Sequence, residues 1–113
     1  MSDNCLFCKI IKGEIPSDKL YEDDDVFVFR DIAPQAPVHF LVIPKKHISG
    51  PSEVGAEDEA LIGKMMRTGG QVAKQEGIDH YRLVFNNGEK AGQTVFHIHM
   101  HILGGRSLGW PPG

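Results

Sequence analysis

The chain contains no apolar run long enough to span a membrane. It has no basic excess either. Its net charge is −3, which argues against a surface built to hold nucleic acid but leaves room for a small local anion site. The first residues, Met1-Ser2-Asp3-Asn4-Cys5, are polar and acidic rather than basic and then apolar, so they do not read as a secretory signal. Only two cysteines are present, three positions apart, too few and too close to staple a small secreted domain; a reducing cytoplasm is the expected compartment. No internal repeat, low-complexity stretch or linker interrupts the 113 residues, a length that fits one domain with one modest core.

What stands out is His97-Ile98-His99-Met100-His101-Ile102-Leu103. A two-residue period predicts a strand over 97–103 with three imidazoles on one face and Ile98, Met100 and Ile102 on the other. Neutral imidazole serves at pH 7 as nucleophile, proton shuttle or metal ligand. Histidine is scarce in ordinary composition, so three in register are poorly explained as surface residues of a half-buried strand. Alternate strand positions could aim two or three rings at one zinc. The preceding Gly92-Gln93-Thr94 and the turn Asn86-Asn87-Gly88 instead supply N–H and O–H donors of the kind that cradle an anion, which a metal does not need.

The remaining elements follow from pattern. Asp3 or Asn4 is expected to cap a short helix over 5–12 that Gly13 ends. Strands are expected over 19–22 and 26–30, joined by Asp23-Asp24-Asp25, and over 39–43, stopped by Pro44. A helix over about 56–76 carries a stripe of Leu61, Ile62, Met65, Met66, Gly69, Val72 and Ala73, with Glu57, Asp58 and Glu59 in its first turn. Gly69-Gly70 marks either a weak point or a close approach. Another strand is expected over 81–85, and the tail from Gly104 is irregular. The sum is an α+β domain: an antiparallel sheet with helices on one face.

Several single residues have two readings. His39 is ordinarily a structural histidine; beside the row it could relay a proton. Asp31 is ordinarily a solvated or capping carboxylate; alternatively it accepts from two adjacent ribose hydroxyls. Phe7, Ile10, Phe29 and Ile32 are core residues or a slot for a flat base. Cys5 and Cys8 are two free thiols or half of a zinc site that His47 and one row histidine could complete. Lys45-Lys46 reads as a solvated pair.

With these residues in place, the chain resembles the histidine triad (HIT) nucleotide-binding proteins, Hint branch. The resemblance runs through Phe29-Arg30-Asp31-Ile32-Ala33-Pro34-Gln35-Ala36-Pro37, Leu41-Val42-Ile43-Pro44-Lys45-Lys46-His47, Gly92-Gln93-Thr94-Val95-Phe96, the histidine row, Leu103-Gly104-Gly105-Arg106 and Trp110-Pro111-Pro112-Gly113. It implies a HIT-like five-stranded antiparallel sheet with a short N-terminal helix and one long helix, a single HIT domain over 1–113, and sheets joined across a homodimer. It implies hydrolysis of a purine nucleoside phosphoramidate to a nucleoside monophosphate and an amine through a nucleotidyl-histidine; the alternative is a non-catalytic nucleotide-binding regulatory dimer.

By position, the resemblance makes His99 the nucleophile. His97 and His101 orient it and hydrogen-bond the phosphate, His39 completes the proton network, and Thr94 stands near the leaving group. Asn86, Gly92 and Gln93 line the phosphate side, Asp31 takes the ribose, and Phe7, Ile10, Phe29 and Ile32 hold the base. Trp110 reaches the partner's site. The resemblance also places a structural zinc on Cys5, Cys8, His47 and His97, and implies no cofactor for catalysis, no nucleic acid and no membrane partner.

Overall fold

The computed structural model describes residues 4–113. Helix α1 spans Leu6–Ile11, α2 Glu59–Gln75, and the strands are β1 Lys19–Glu22, β2 Val26–Arg30, β3 Val38–Pro44, β4 Tyr81–Phe85 and β5 Met100–Gly104. The five strands form one sheet in the order β1-β2-β3-β5-β4, every neighbouring pair antiparallel. The expected sheet and two helices are therefore present.

The helices lie on opposite faces of the sheet, not on one. Strands β2 and β3 are buried at consecutive positions, so both faces carry apolar side chains that need cover. Val26, Val28, Phe40, Val42, Met100 and Ile102 pack with Met65, Val72 and Ala73 of α2. Phe27, Phe29, Leu41 and Ile43 point the other way and pack with Cys5, Phe7, Cys8 and Ile10 at α1. His39 and His101 have the parity of this second face, and the register pairs His39 with Leu103 and Leu41 with His101. The two histidines are thus diagonal neighbours on the face that α1 only partly covers.

Three expectations change in detail. Helix α1 starts at Leu6, and its N-cap is Cys5, whose Sγ accepts the Cys8 N–H at 3.3 Å. Asn4 is not the cap, and Asp3 lies outside the described residues. Helix α2 starts at Glu59, after a single tight turn over Ala56–Asp58; Asp58 is buried and receives Lys46 Nζ at 2.6 Å. Lys45 likewise pairs with Glu22 at 2.7 Å, so the two lysines stay at the surface as expected, each with an acidic partner. On α2, Met66 turns outward while Thr68 is buried in the stripe, because Thr68 lies three residues beyond Met65 and Met66 only one. Gly69 marks a close approach: a Cβ there would sit 2.6 Å from Ile102 Cδ1 and 2.8 Å from Met100 Cε.

The largest change concerns the histidine row. Strand β5 begins at Met100, so His101 is in the sheet but His97 and His99 precede it. This departure gives the three rings three different environments.

Candidate active site

His99 is buried beside Phe7, whose ring meets it edge-on at a centroid distance of 5.1 Å. Its Nδ1 lies 2.8 Å from the carbonyl oxygen of His97. A carbonyl can only accept, so Nδ1 carries the proton and Nε2 keeps its lone pair. Burial lowers the pKa of His99, so the ring is neutral at pH 7. His97 thus orients His99 through its main chain. Its ring does not, because His97 Nε2–H donates to the Pro44 carbonyl at 2.8 Å.

His101 and His39 form a second unit. The Gln35 N–H donates to His39 Nδ1 at 3.0 Å, which forces the proton of neutral His39 onto Nε2. That Nε2 lies 2.9 Å from His101 Nδ1 and so donates to it. By the same logic His101 carries its own proton on Nε2. His101 is pushed down to about 4, by burial first and then by the neighbouring histidines. The pKa of His39 is lowered by burial, with the Asp31 charge opposing the shift.

His99 and His101 open onto a cavity of about 310 Å³. Its walls include Phe7, Ile10, Phe29, Asp31, Ile32 and Thr94, all of them expected site residues. Ile32 is 98% exposed and forms the rim, with nothing packed over it. Leu6, Ile15, Pro16, Leu41 and Val95 also line the cavity. Sequence reasoning missed them because each is an ordinary apolar or turn residue without a motif of its own. Asp31 caps the loop, its Oδ1 accepting the Ala33 N–H at 2.8 Å, while Oδ2 lies 3.5 Å from His39 Nε2 at the cavity wall.

The remaining residues expected at the site lie apart from this lining. Gln93 is buried and its carboxamide is occupied by backbone: Nε2 donates to Ser49 O and Val95 O, and Oε1 accepts the Gly88 N–H. Its side chain shapes the loop before Thr94 instead of facing the cavity. Gly92 has φ 102°, a left-handed conformation suited to glycine, and Asn86 sits beside it. Trp110 is 81% exposed in the isolated chain. A larger concavity of about 580 Å³, between residues 77–82 and 105–108, contains none of the row histidines.

Cys5, Cys8, His47 and His97 converge behind His99. His47 Nδ1 and His97 Nδ1 are 3.2 Å apart, and the sulfur-to-nitrogen separations are 3.3 Å for Cys5–His97, 3.4 Å for Cys8–His47 and 3.6 Å for Cys8–His97. A tetrahedral zinc with bonds of ~2.0–2.3 Å needs donor separations of ~3.3–3.8 Å, so the set fits. The Pro44 bond reinforces the fit, since it leaves the His97 Nδ1 lone pair facing the thiols. Burial raises the Cys8 thiol to about 11, which disfavours a bare thiolate there.

The HIT domain model matches residues 12–108. The chain belongs to the HIT family. An uncharacterized HIT-like protein of Synechococcus elongatus is 55% identical over 114 residues, covering 100% of both chains. One from Synechocystis is 52% identical with the same coverage. Among solved structures, the HIT family hydrolase from Legionella pneumophila superposes with a TM-score of 0.95 at 50% identity, covering 97% of this chain and 100% of its own. That from Clostridium thermocellum gives 0.94 at 46%, covering 96% of each. This chain therefore has the fold of the HIT family hydrolases. No helix among its described residues is long and apolar enough to cross a membrane.

Proposed function

We propose that this HIT protein is of the Hint branch and hydrolyses purine nucleoside phosphoramidates, releasing a nucleoside monophosphate and an amine. The observation that carries the reading is the bond from His99 Nδ1–H to His97 O. It leaves a neutral Nε2 lone pair at the wall of a cavity whose apolar sides suit a flat base.

The steps follow from that geometry. His99 Nε2 attacks the α-phosphorus, a new phosphorus–nitrogen bond forms, and the bond to the amine breaks. The departing amine takes up a proton; His101 Nε2–H and the Thr94 hydroxyl are the donors at the cavity wall. Water then attacks the same phosphorus, its proton returns to the group that protonated the amine, the bond to His99 breaks, and the monophosphate leaves. Imidazole suits both steps as nucleophile and leaving group. His99 Nδ1–H stays on the His97 carbonyl throughout, so the ring does not turn between steps. Asp31 binds the ribose hydroxyls, Phe7, Ile10, Phe29 and Ile32 hold the base, and the loop through Asn86, Gly92 and Gln93 supports the phosphate side.

The four-donor cluster would hold a structural zinc. Its chemistry would be to tie α1 to the segment that carries His97. The 113 residues act as one HIT domain in a reducing cytoplasm, a setting that suits the two free thiols. Strand β4 is a sheet edge with Leu83 half exposed, and Trp110 projects from the tail. Both fit a homodimer whose sheets join and whose Trp110 reaches the partner's site; sedimentation at micromolar concentration should give twice the chain mass, and a monomer would refute this.

The deciding experiment is incubation with adenosine phosphoramidate, acid quench and intact mass. Wild type should gain one nucleotidyl group, and His99→Ala none. Nucleotide binding without turnover in both would mean a regulatory dimer instead.

A further inference from the structure

We infer that Arg106 is a positioning residue for the His39–His101 relay, acting through the main chain of Gln35. Strand β5 ends at Gly104, and Gly105 turns at φ 91°, where a Cβ would be strained and would meet Pro37 Cβ at 2.9 Å. This close turn brings Arg106 over the loop between β2 and β3. Arg106 Nη2 donates to Gln35 O at 2.9 Å, and Nη1 donates to Ser107 O at 3.0 Å. The N–H of that same Gln35 donates to His39 Nδ1. One exposed guanidinium therefore holds the residue whose amide sets the protonation of a buried histidine.

The consequence is chemical as well as structural. An N–H aimed at His39 Nδ1 is compatible only with a lone pair there, so it disfavours the imidazolium and keeps Nε2–H directed at His101. The ionisable groups that face His39 are Asp31, which follows β2, and His101 of β5, with Arg106 behind the Gln35 main chain. Asp31 favours a charged His39; the Gln35 amide opposes it. Loosening the main chain at Gln35 tilts this balance towards protonation, which would leave His39 with a proton on both nitrogens and the relay unable to cycle.

The test is the titration of His39 followed by nitrogen-detected imidazole NMR, alongside the pH profile of kcat. Arg106→Met should raise the His39 midpoint by about half a pH unit to one, roughly the strength of an ordinary hydrogen bond. The acid limb of kcat should rise with it, while KM changes by less than about twofold. Arg106→Lys, which keeps a donor, should return both towards wild type. Gln35→Pro removes the N–H itself; in that background Arg106→Met should add nothing further.

An unchanged His39 midpoint in folded Arg106→Met overturns the inference, as does full additivity with Gln35→Pro. The kinetic readout rests on the phosphoramidase reading, but the NMR readout does not. A raised midpoint in a protein that turns over no phosphoramidate would uphold the Arg106 link and refute that reading alone.

Discussion

His99 Nδ1 lies 2.8 Å from the carbonyl oxygen of His97, so one histidine of the row sets the tautomer of the next through the main chain. The relationship exists because the sheet ladder begins only at Met100, which leaves the His97 carbonyl outside the strand pairing. Removing the His99 ring should abolish turnover while leaving the base and ribose contacts intact. In His99→Ala, phosphoramidate turnover should fall to background, with nucleoside monophosphate affinity by calorimetry within about threefold of wild type. Near-normal turnover would mean that another group is the nucleophile.

Asp31 should discriminate ribose from deoxyribose. One carboxylate oxygen caps Ala33 and the other lies at the cavity wall, so the loop cap and the ligand contact separate by ligand choice. Asp31→Ala should weaken AMP by ~1.5–3 kcal/mol, the range of a hydrogen bond to a charged group, and weaken 2′-deoxy-AMP much less. Equal losses for both would make Asp31 a loop cap alone.

Stability should fall on mild acidification. Burial pushes His97 and His101 down from 6.5 to about 4, and His99 is lowered by burial as well. Between these values the unfolded chain binds more protons than the folded one, so the stabilisation is complete above about 6.5 and is lost as pH falls towards 4. The thermal midpoint should therefore drop between pH 7.5 and pH 5, and His101→Asn should show a shallower decline. A midpoint flat over this window would contradict the burial of the three rings.

Elemental analysis of protein prepared without chelator should find about one zinc per chain. Cys5→Ser should lower the thermal midpoint by several degrees, as a loss of ~1–2 kcal/mol would, yet change kcat per folded molecule far less. The cysteines belong to the α1 anchor, and His99 is held by the main-chain carbonyl of His97, whose ring keeps its bond to Pro44 O when Cys5 is changed. Failure to take up zinc on refolding in its presence would reduce both residues to buried thiols.

Much of this site is legible in the sequence because alternation and spacing are local. His99, His101, His39, Thr94 and Asp31 all reach one cavity or its relay, and Cys5, Cys8, His47 and His97 converge as the resemblance implies. The three rings do share the α1 side of the sheet, His97 and His99 both against Phe7 and His101 beside His99; what pattern misread was the length of the strand beneath them. Period-two alternation continues through 97–103, but pairing depends on what lies alongside, and β3 and β4 meet β5 only from Met100 onward. The placement of both helices on one face failed for a similar reason. Consecutive burial in β2 and β3 shows that both faces need cover, but not which helix covers which.

By itself the sequence determined which side chains could do chemistry and the order in which the elements occur, because composition, period and turn residues act over a few positions. Only the tertiary structure decided what each imidazole does. His97 faces the thiols, His99 the cavity and His101 the ring of His39, and each choice is made by a main-chain group distant in sequence or freed from the ladder: Pro44 O, His97 O and the Gln35 N–H. Backbone donors and acceptors are the same at every residue, so no side-chain pattern announces them. Folding alone brings them within hydrogen-bonding distance of a ring and so fixes which nitrogen holds the proton.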